Sequence, residues 1–315
     1  MPASADPTMN SGESASKSSR SKPGSKSSRS DGARRKKGRN TPSLVPLDIA
    51  RTSPVAGFID VVEPRQTRED VVLSPENAQI LSDLEAEYAK AGTLKRHGLN
   101  VRSKLLFCGP PGCGKTLTAE VFAYETGLDL FVVRLDALIS SFLGETASNL
   151  RTVMDAAERR PCILFFDEFD ALARSRSDSQ GHGELRRVVN SLLVMIEQFR
   201  GQGFLIAATN LDYMLDGALW RRFDEVILFD RPDVKQIEST LRLNTRNFPA
   251  DYELVSHAAA MEGFSYAQIN SVCTQAIKNA LLGRRKRISK ADFKHALVSE
   301  ERRRSIQKRL VRQDP

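Results

Sequence analysis

The chain has 315 residues, a net charge of +8 and 40% hydrophobic side chains, enough for a nucleus of one large domain and a smaller second one. No run approaches the roughly 18 uncharged apolar residues of a membrane span, and no apolar segment near Met1 resembles a secretory leader. No membrane insertion and a cytoplasmic location are therefore expected.

The charge is uneven. Residues 1–40 hold 10 Lys and Arg against 3 Asp and Glu, and residues 283–315 hold 12 against 4, so an acidic body lies between basic ends. Such ends suit nucleic acid or acidic proteins, and equally well serve as solvated tails. The cysteines (Cys108, Cys113, Cys162, Cys273) lack zinc spacing and read as reduced core thiols. The four histidines are scattered and suggest no metal site.

In chain order, residues 1–40 are rich in Ser, Lys, Arg, Gly and Pro and are expected to be a disordered basic tail. Residues 41–73 read as a linker whose short apolar pieces dock on the body. Ordered structure is expected from Ser74, with Ser74-Pro75 as helix cap and first turn and Ile80, Leu81, Leu84 and Tyr88 as its apolar stripe. Apolar runs at Lys104–Cys108, Leu130–Val133, Cys162–Phe166, Phe204–Ala208 and Val226–Phe229 alternate with helical stretches. That alternation predicts an α/β fold over 74–231, a mostly parallel sheet with helices on both faces. After Pro232 the strand signals stop. Helical patterns at about 233–246, 252–261, 265–282 and 289–300 predict a small all-helical domain over 232–300, with Ser265 and Ser289 as N-caps and Ser289–Asp292 as a capping box. Residues 301–315 are expected to be a basic C-terminal tail.

The sharpest local signal is Gly109-Pro110-Pro111-Gly112-Cys113-Gly114-Lys115-Thr116, between an apolar strand and a helix. Glycines let backbone N–H groups converge on phosphates, and the next helix points its positive end at them. Lys115 is placed to neutralise phosphate charge and Thr116 to offer a hydroxyl to Mg²⁺. Residues Gly109 to Leu117 are thus the expected nucleotide contacts. A second apolar strand ends in Asp167-Glu168, a Walker B pattern. It suits Asp167 to Mg²⁺ and Glu168 to a water that attacks the phosphate. A third ends at Asn210, an amide suited to that same water, although an Asn there is equally a turn residue. Arg221 and Arg222 precede the last strand and are read either as surface charge or as anion ligands.

Together these motifs resemble the AAA+ ATPase family over roughly residues 74–300. Gly109–Thr116 looks like Walker A, Ile163–Glu168 like Walker B, Ala208–Asn210 like sensor 1, and the segment after Pro232 like the lid, with Gly263–Ile269 beginning the helix that flanks adenine. The resemblance implies ATP and Mg²⁺ as cofactors and a homo-oligomer, expected to be a hexameric ring. It implies Arg221 and Arg222 as fingers acting on a neighbouring subunit's nucleotide. It also makes Phe142-Leu143-Gly144 similar to the pore loop that grips a polypeptide. Three departures stand out. Cys113 replaces a common Thr. Arg221 and Arg222 are adjacent, as in the katanin-like branch. No arginine occurs in Phe264–Gln268, where the lid often supplies one. A single module with a polar head is similar to stand-alone bacterial AAA ATPases.

The leading expectation is an ATP-driven remodeller of protein substrates or adaptor-bound cargo. A nucleic-acid-associated motor, favoured by the basic tails, is the alternative. A nucleotide-gated scaffold with slow hydrolysis is a third reading, opposed by the presence of Glu168 and Asn210.

Overall fold

The computed structural model describes residues 55–140, 143–170, 182–210 and 220–311. Six strands form one sheet: β1 (Ile59–Val62), β2 (Lys104–Cys108), β3 (Asp129–Val133), β4 (Cys162–Phe166), β5 (Phe204–Thr209) and β6 (Glu225–Leu228), in the order β1-β3-β4-β5-β2-β6. All neighbours are parallel except β1, which runs antiparallel to β3 at one edge. Helices α1 (Pro75–Ala89), α2 (Ala91–Arg96), α3 (Lys115–Thr126), α4 (Leu135–Ser140), α5 (Leu143–Glu158) and α6 (His182–Gln198) belong to this part. The helices α7 (Val234–Asn244), α8 (Tyr266–Leu282) and α9 (Lys290–Val311) follow β6.

Strand alternation sorts the core into two layers. Leu106, Leu164, Phe166, Leu205 and Ala207 face the side packed with Leu150, Val153, Leu192 and Ile196 of α5 and α6. Leu105, Phe107, Ile163, Phe165 and Ile206 face the opposite side, with Leu81 and Leu84 of α1 and Phe122 of α3. Every residue of β4 and β5 is buried, as a central parallel strand covered on both faces requires. A third core, around Ile237, Leu241, Ile269, Val272, Ala276 and Phe293, holds the C-terminal helices together. All four cysteines are buried thiols outside any disulfide.

The expected helix cap is present: Ser74 Oγ accepts from Asn77 N at 3.1 Å, with Pro75 in the first turn. Capping boxes also begin α8, at Ser265 and Gln268, and α9, at Ser289 and Asp292.

Three expectations change. Order precedes Ser74: residues 59–62 of the expected linker form β1, because pairing with β3, some seventy residues away, satisfies the backbone of a run only four residues long. The stretch expected as a helix at 252–261 is instead two 3₁₀ turns, Leu254–His257 and Ala259–Met261. Residues 301–311 continue α9 rather than starting a tail, since Arg and Lys are good helix formers on an exposed face.

Candidate active site

Strand order places three chain segments side by side at the carboxyl ends of β4, β5 and β2. Register holds them level, with Cys108 beside Thr209 and Phe166 beside Ala207. Ligands of open α/β sheets bind at this edge.

After β2 the chain turns through Gly109–Gly114 into α3. Gly109 has φ +142°, and a Cβ there would lie 2.0 Å from the Phe229 carbonyl oxygen, so only glycine fits. Gly114, at φ +94°, caps α3 without a side chain and leaves the first amides of that helix open toward the hollow of the loop. Lys115 is 6% exposed, and its ammonium donates to Gly109 O at 2.7 Å, Pro110 O at 3.0 Å and Asn210 Oδ1 at 2.8 Å. Burial pushes the Lys115 pKa below its ordinary value, while Cys113, Asp167 and Asp170 act in the opposite sense.

Thr116 Oγ1 donates to Asp167 Oδ2 at 2.7 Å. The other carboxylate oxygen of Asp167 accepts from Glu168 N at 2.9 Å. Glu168 is exposed and sits at φ +49°, in the left-handed region that costs a non-glycine residue about 1–2 kcal/mol. Phe169 N donates to Ala208 O at 2.8 Å, and Asn210 N to Asp170 Oδ1 at 3.2 Å, which ties the turn after β4 to the end of β5. Strain at Glu168 is thus held by its neighbours, a common arrangement at functional sites.

These groups border a cavity of about 540 Å³, within the usual range for small-ligand sites. Pro111 to Leu117, Asp167, Glu168 and Asn210 line one side. Asp70, Val71, Val72, Thr240, Leu243, Asn244, Tyr266, Ala267 and Asn270 line the other. Gly109 and Pro110 act from behind, through the carbonyls that hold Lys115. The C-terminal helices touch the loop directly: Ala267 N donates to Gly112 O at 3.1 Å.

Arg221 and Arg222 are not brought to this cavity. Among the described residues neither lines it, and Arg222 Nε lies 3.5 Å from Glu197 of α6. Phe142 lies outside the described residues, and Leu143 and Gly144 open α5. Most of the second wall of the cavity escaped the sequence reading. Thr240, Leu243 and Asn244 are spaced i, i+3, i+4 on α7, and that spacing is the signal that marks them as one face.

The donors fit a nucleoside triphosphate with a divalent cation. A glycine-lined turn, a helix N-terminus and a buried ammonium suit polyphosphate, and the hard oxygens of Thr116 and Asp167 suit Mg²⁺.

Residues 105–231 match the family described as "ATPase family associated with various cellular activities (AAA)". An uncharacterized AAA family ATPase of Sinorhizobium fredii is 54% identical over 269 residues, which cover 85% of this chain and 81% of that protein. The chain belongs to the AAA ATPase family. A proteasome-activating nucleotidase of Methanospirillum hungatei is 33% identical over 255 residues, 78% of this AAA ATPase and 62% of the relative. An ATP-dependent zinc metalloprotease FtsH of Halothermothrix orenii is 33% identical over 240 residues, 73% of this chain and 38% of the relative. The AAA ATPase therefore spans less than two thirds of these two longer relatives. Among its described residues no helix is long and apolar enough to cross a membrane.

Proposed function

We propose that this AAA ATPase hydrolyses ATP between subunits of a homo-oligomeric ring, expected to be hexameric, and uses the cycle to remodel protein substrates in the cytoplasm. The observation that carries the reading is the convergence of three loops on one point. Lys115 bonds Asn210 at 2.8 Å while Thr116 bonds Asp167 at 2.7 Å, beside the exposed carboxylate of Glu168.

When bound, ATP with Mg²⁺ supplies the reactive phosphoryl group and a local positive charge. Residues Pro111 to Leu117 bind and orient the phosphates. Lys115 exchanges its carbonyl partners for phosphate oxygens. Thr116 and Asp167 would hold the cation. Glu168 takes the proton of the attacking water, and Asn210 orients that water from the tip of β5. The remoteness of Arg221 and Arg222 from the cavity of their own chain supports their acting on a neighbour's nucleotide. Phe142, Leu143 and Gly144 are assigned to the pore loop on sequence alone. The name of the proteasome-activating relative supports a protein as the substrate class.

The test is Glu168→Gln. This variant is expected to bind ATP with wild-type affinity and to hydrolyse it at least about a hundredfold more slowly, the usual contribution of a general base. Hydrolysis at the wild-type rate would remove Glu168 from its role. Loss of binding instead would show that it is needed to build the site.

A further inference from the structure

The last turns of α9 reach back to the junction between the C-terminal helices and the α/β body. Gly263, at φ +77°, precedes the cap of α8. Its carbonyl oxygen accepts two guanidinium donors. Arg231, which follows β6, donates from one terminal nitrogen at 2.7 Å, and Arg304 of α9 donates from another at 2.9 Å. The guanidinium carbon of Arg304 also lies 4.0 Å from the ring centroid of Phe264, a residue 2% exposed. A few residues on, Ser265 caps α8 and Ala267 N donates to Gly112 O of the phosphate loop. A continuous set of contacts therefore runs from Arg304 through Gly263 and Phe264 to the loop that binds phosphate.

The chemistry asks for arginine. A carbonyl oxygen has two lone pairs and takes two donors. A guanidinium can donate in its plane and lay that plane on an aromatic ring together, which an ammonium cannot do. Two cations meeting at a neutral oxygen repel each other, so their positions are fixed by the elements that carry them. On α9 the anchor is Glu300, 7% exposed, whose carboxylate accepts from Ser271 Oγ of α8 at 3.3 Å. Arg304 lies one turn further along. Its neighbour Arg303 has a side chain 77% exposed and reaches Glu300 at 3.9 Å, whereas the contacts with Gly263 and Phe264 are made by Arg304.

We propose that Arg304 is a positioning residue for nucleotide binding. It lies outside the residues that line the cavity, yet it fixes Gly263–Ala267 against Gly112, so the end of α9 sets how long nucleotide stays bound. The inference rests on the nucleotide reading of the cavity.

The experiment is stopped-flow release of a fluorescent N-methylanthraniloyl ADP from the full-length protein, with melting temperatures measured without nucleotide. Arg304→Ala is expected to release the probe about three- to tenfold faster, the effect of one charge-assisted bond partly screened by solvent. Its melting temperature should stay within about 4 °C of wild type, the shift of one small loss in stability. Arg304→Lys should recover part of the difference, and Arg303→Ala should match wild type. Arg231→Ala should speed release as well, and its effect should not add to that of Arg304→Ala, because both act on one oxygen. Wild-type release from a folded Arg304→Ala protein would overturn the proposal, as would an equal effect of Arg303→Ala. If Arg304→Ala does not fold, Arg304→Lys decides: faster release supports the proposal and wild-type release overturns it. A wild-type protein that fails to bind the probe would overturn the nucleotide reading itself, a result distinct from any of these.

Discussion

Gly112→Ala isolates the contact between the phosphate loop and the C-terminal helices. Gly112 has φ +75°, and a Cβ built there lies 2.9 Å from both Ala267 Cβ and Ser265 Oγ. Ala267 Cβ is fixed by its backbone and Ser265 Oγ is held by the cap bond from Gln268 N, so α8 must move back by several tenths of an ångström. That shift stretches the 3.1 Å bond from Ala267 N to Gly112 O. The backbone strain of a left-handed alanine is common to the free and bound protein and cancels from binding. The overlap and the weakened bond oppose any further closing of α8 and the loop on a ligand, at about 1–2 kcal/mol. A rise in the ADP Kd of roughly five- to thirtyfold follows, measured by calorimetry. Gly98→Ala is the control: Gly98 has a similar φ of +74° with nothing within 4 Å of its Cβ position. It should lower stability slightly and leave the Kd unchanged. An unchanged Kd in Gly112→Ala would refute the view that the loop and α8 close on the ligand together.

Two further outcomes are expected. His257 packs against the rings of Tyr252 and Phe293, at 5.7 and 5.2 Å, and burial first, then Lys290, holds its pKa below the ordinary 6.5. The proton therefore prefers the unfolded chain, so stability should fall as pH drops below about 6.5 toward the folded value. Thermal melts at pH 7.5 and 5.0 should show a smaller acid loss in His257→Gln than in wild type, and equal losses would contradict the assignment. Phe142→Ala should keep basal ATPase while losing unfolding of a tagged reporter protein. Unchanged unfolding would remove the pore-loop assignment.

The candidate site was legible in the sequence because the phosphate loop is local. Its glycines, Lys115 and Thr116 lie within eight consecutive residues, and each answers a steric or electrostatic demand visible in the chain itself. Asp167, Glu168 and Asn210 were legible because they directly follow two fully buried strands. What escaped depends on distant partners. β1 is four residues long and exists through its pairing with β3. The run of arginines after Glu300 reads as a tail until Arg304 meets Gly263 and Phe264. The wall formed by Val71, Val72, Leu243 and Asn270 comes from three separate stretches of the chain, and its apolar residues look like ordinary core.

The central claim, that each site is completed by a neighbouring subunit, is tested by mixing two variants. Lys115→Ala removes the buried ammonium from the phosphate loop, and Arg222→Ala removes the proposed finger, which pairs with Glu197 within its own chain. Each alone should have almost no ATPase activity. Mixed in equal amounts, they should regain part of it, because some interfaces then join an intact loop to an intact finger. Full activity of Arg222→Ala alone, with no recovery on mixing, would mean that hydrolysis is completed within one subunit and would contradict the account.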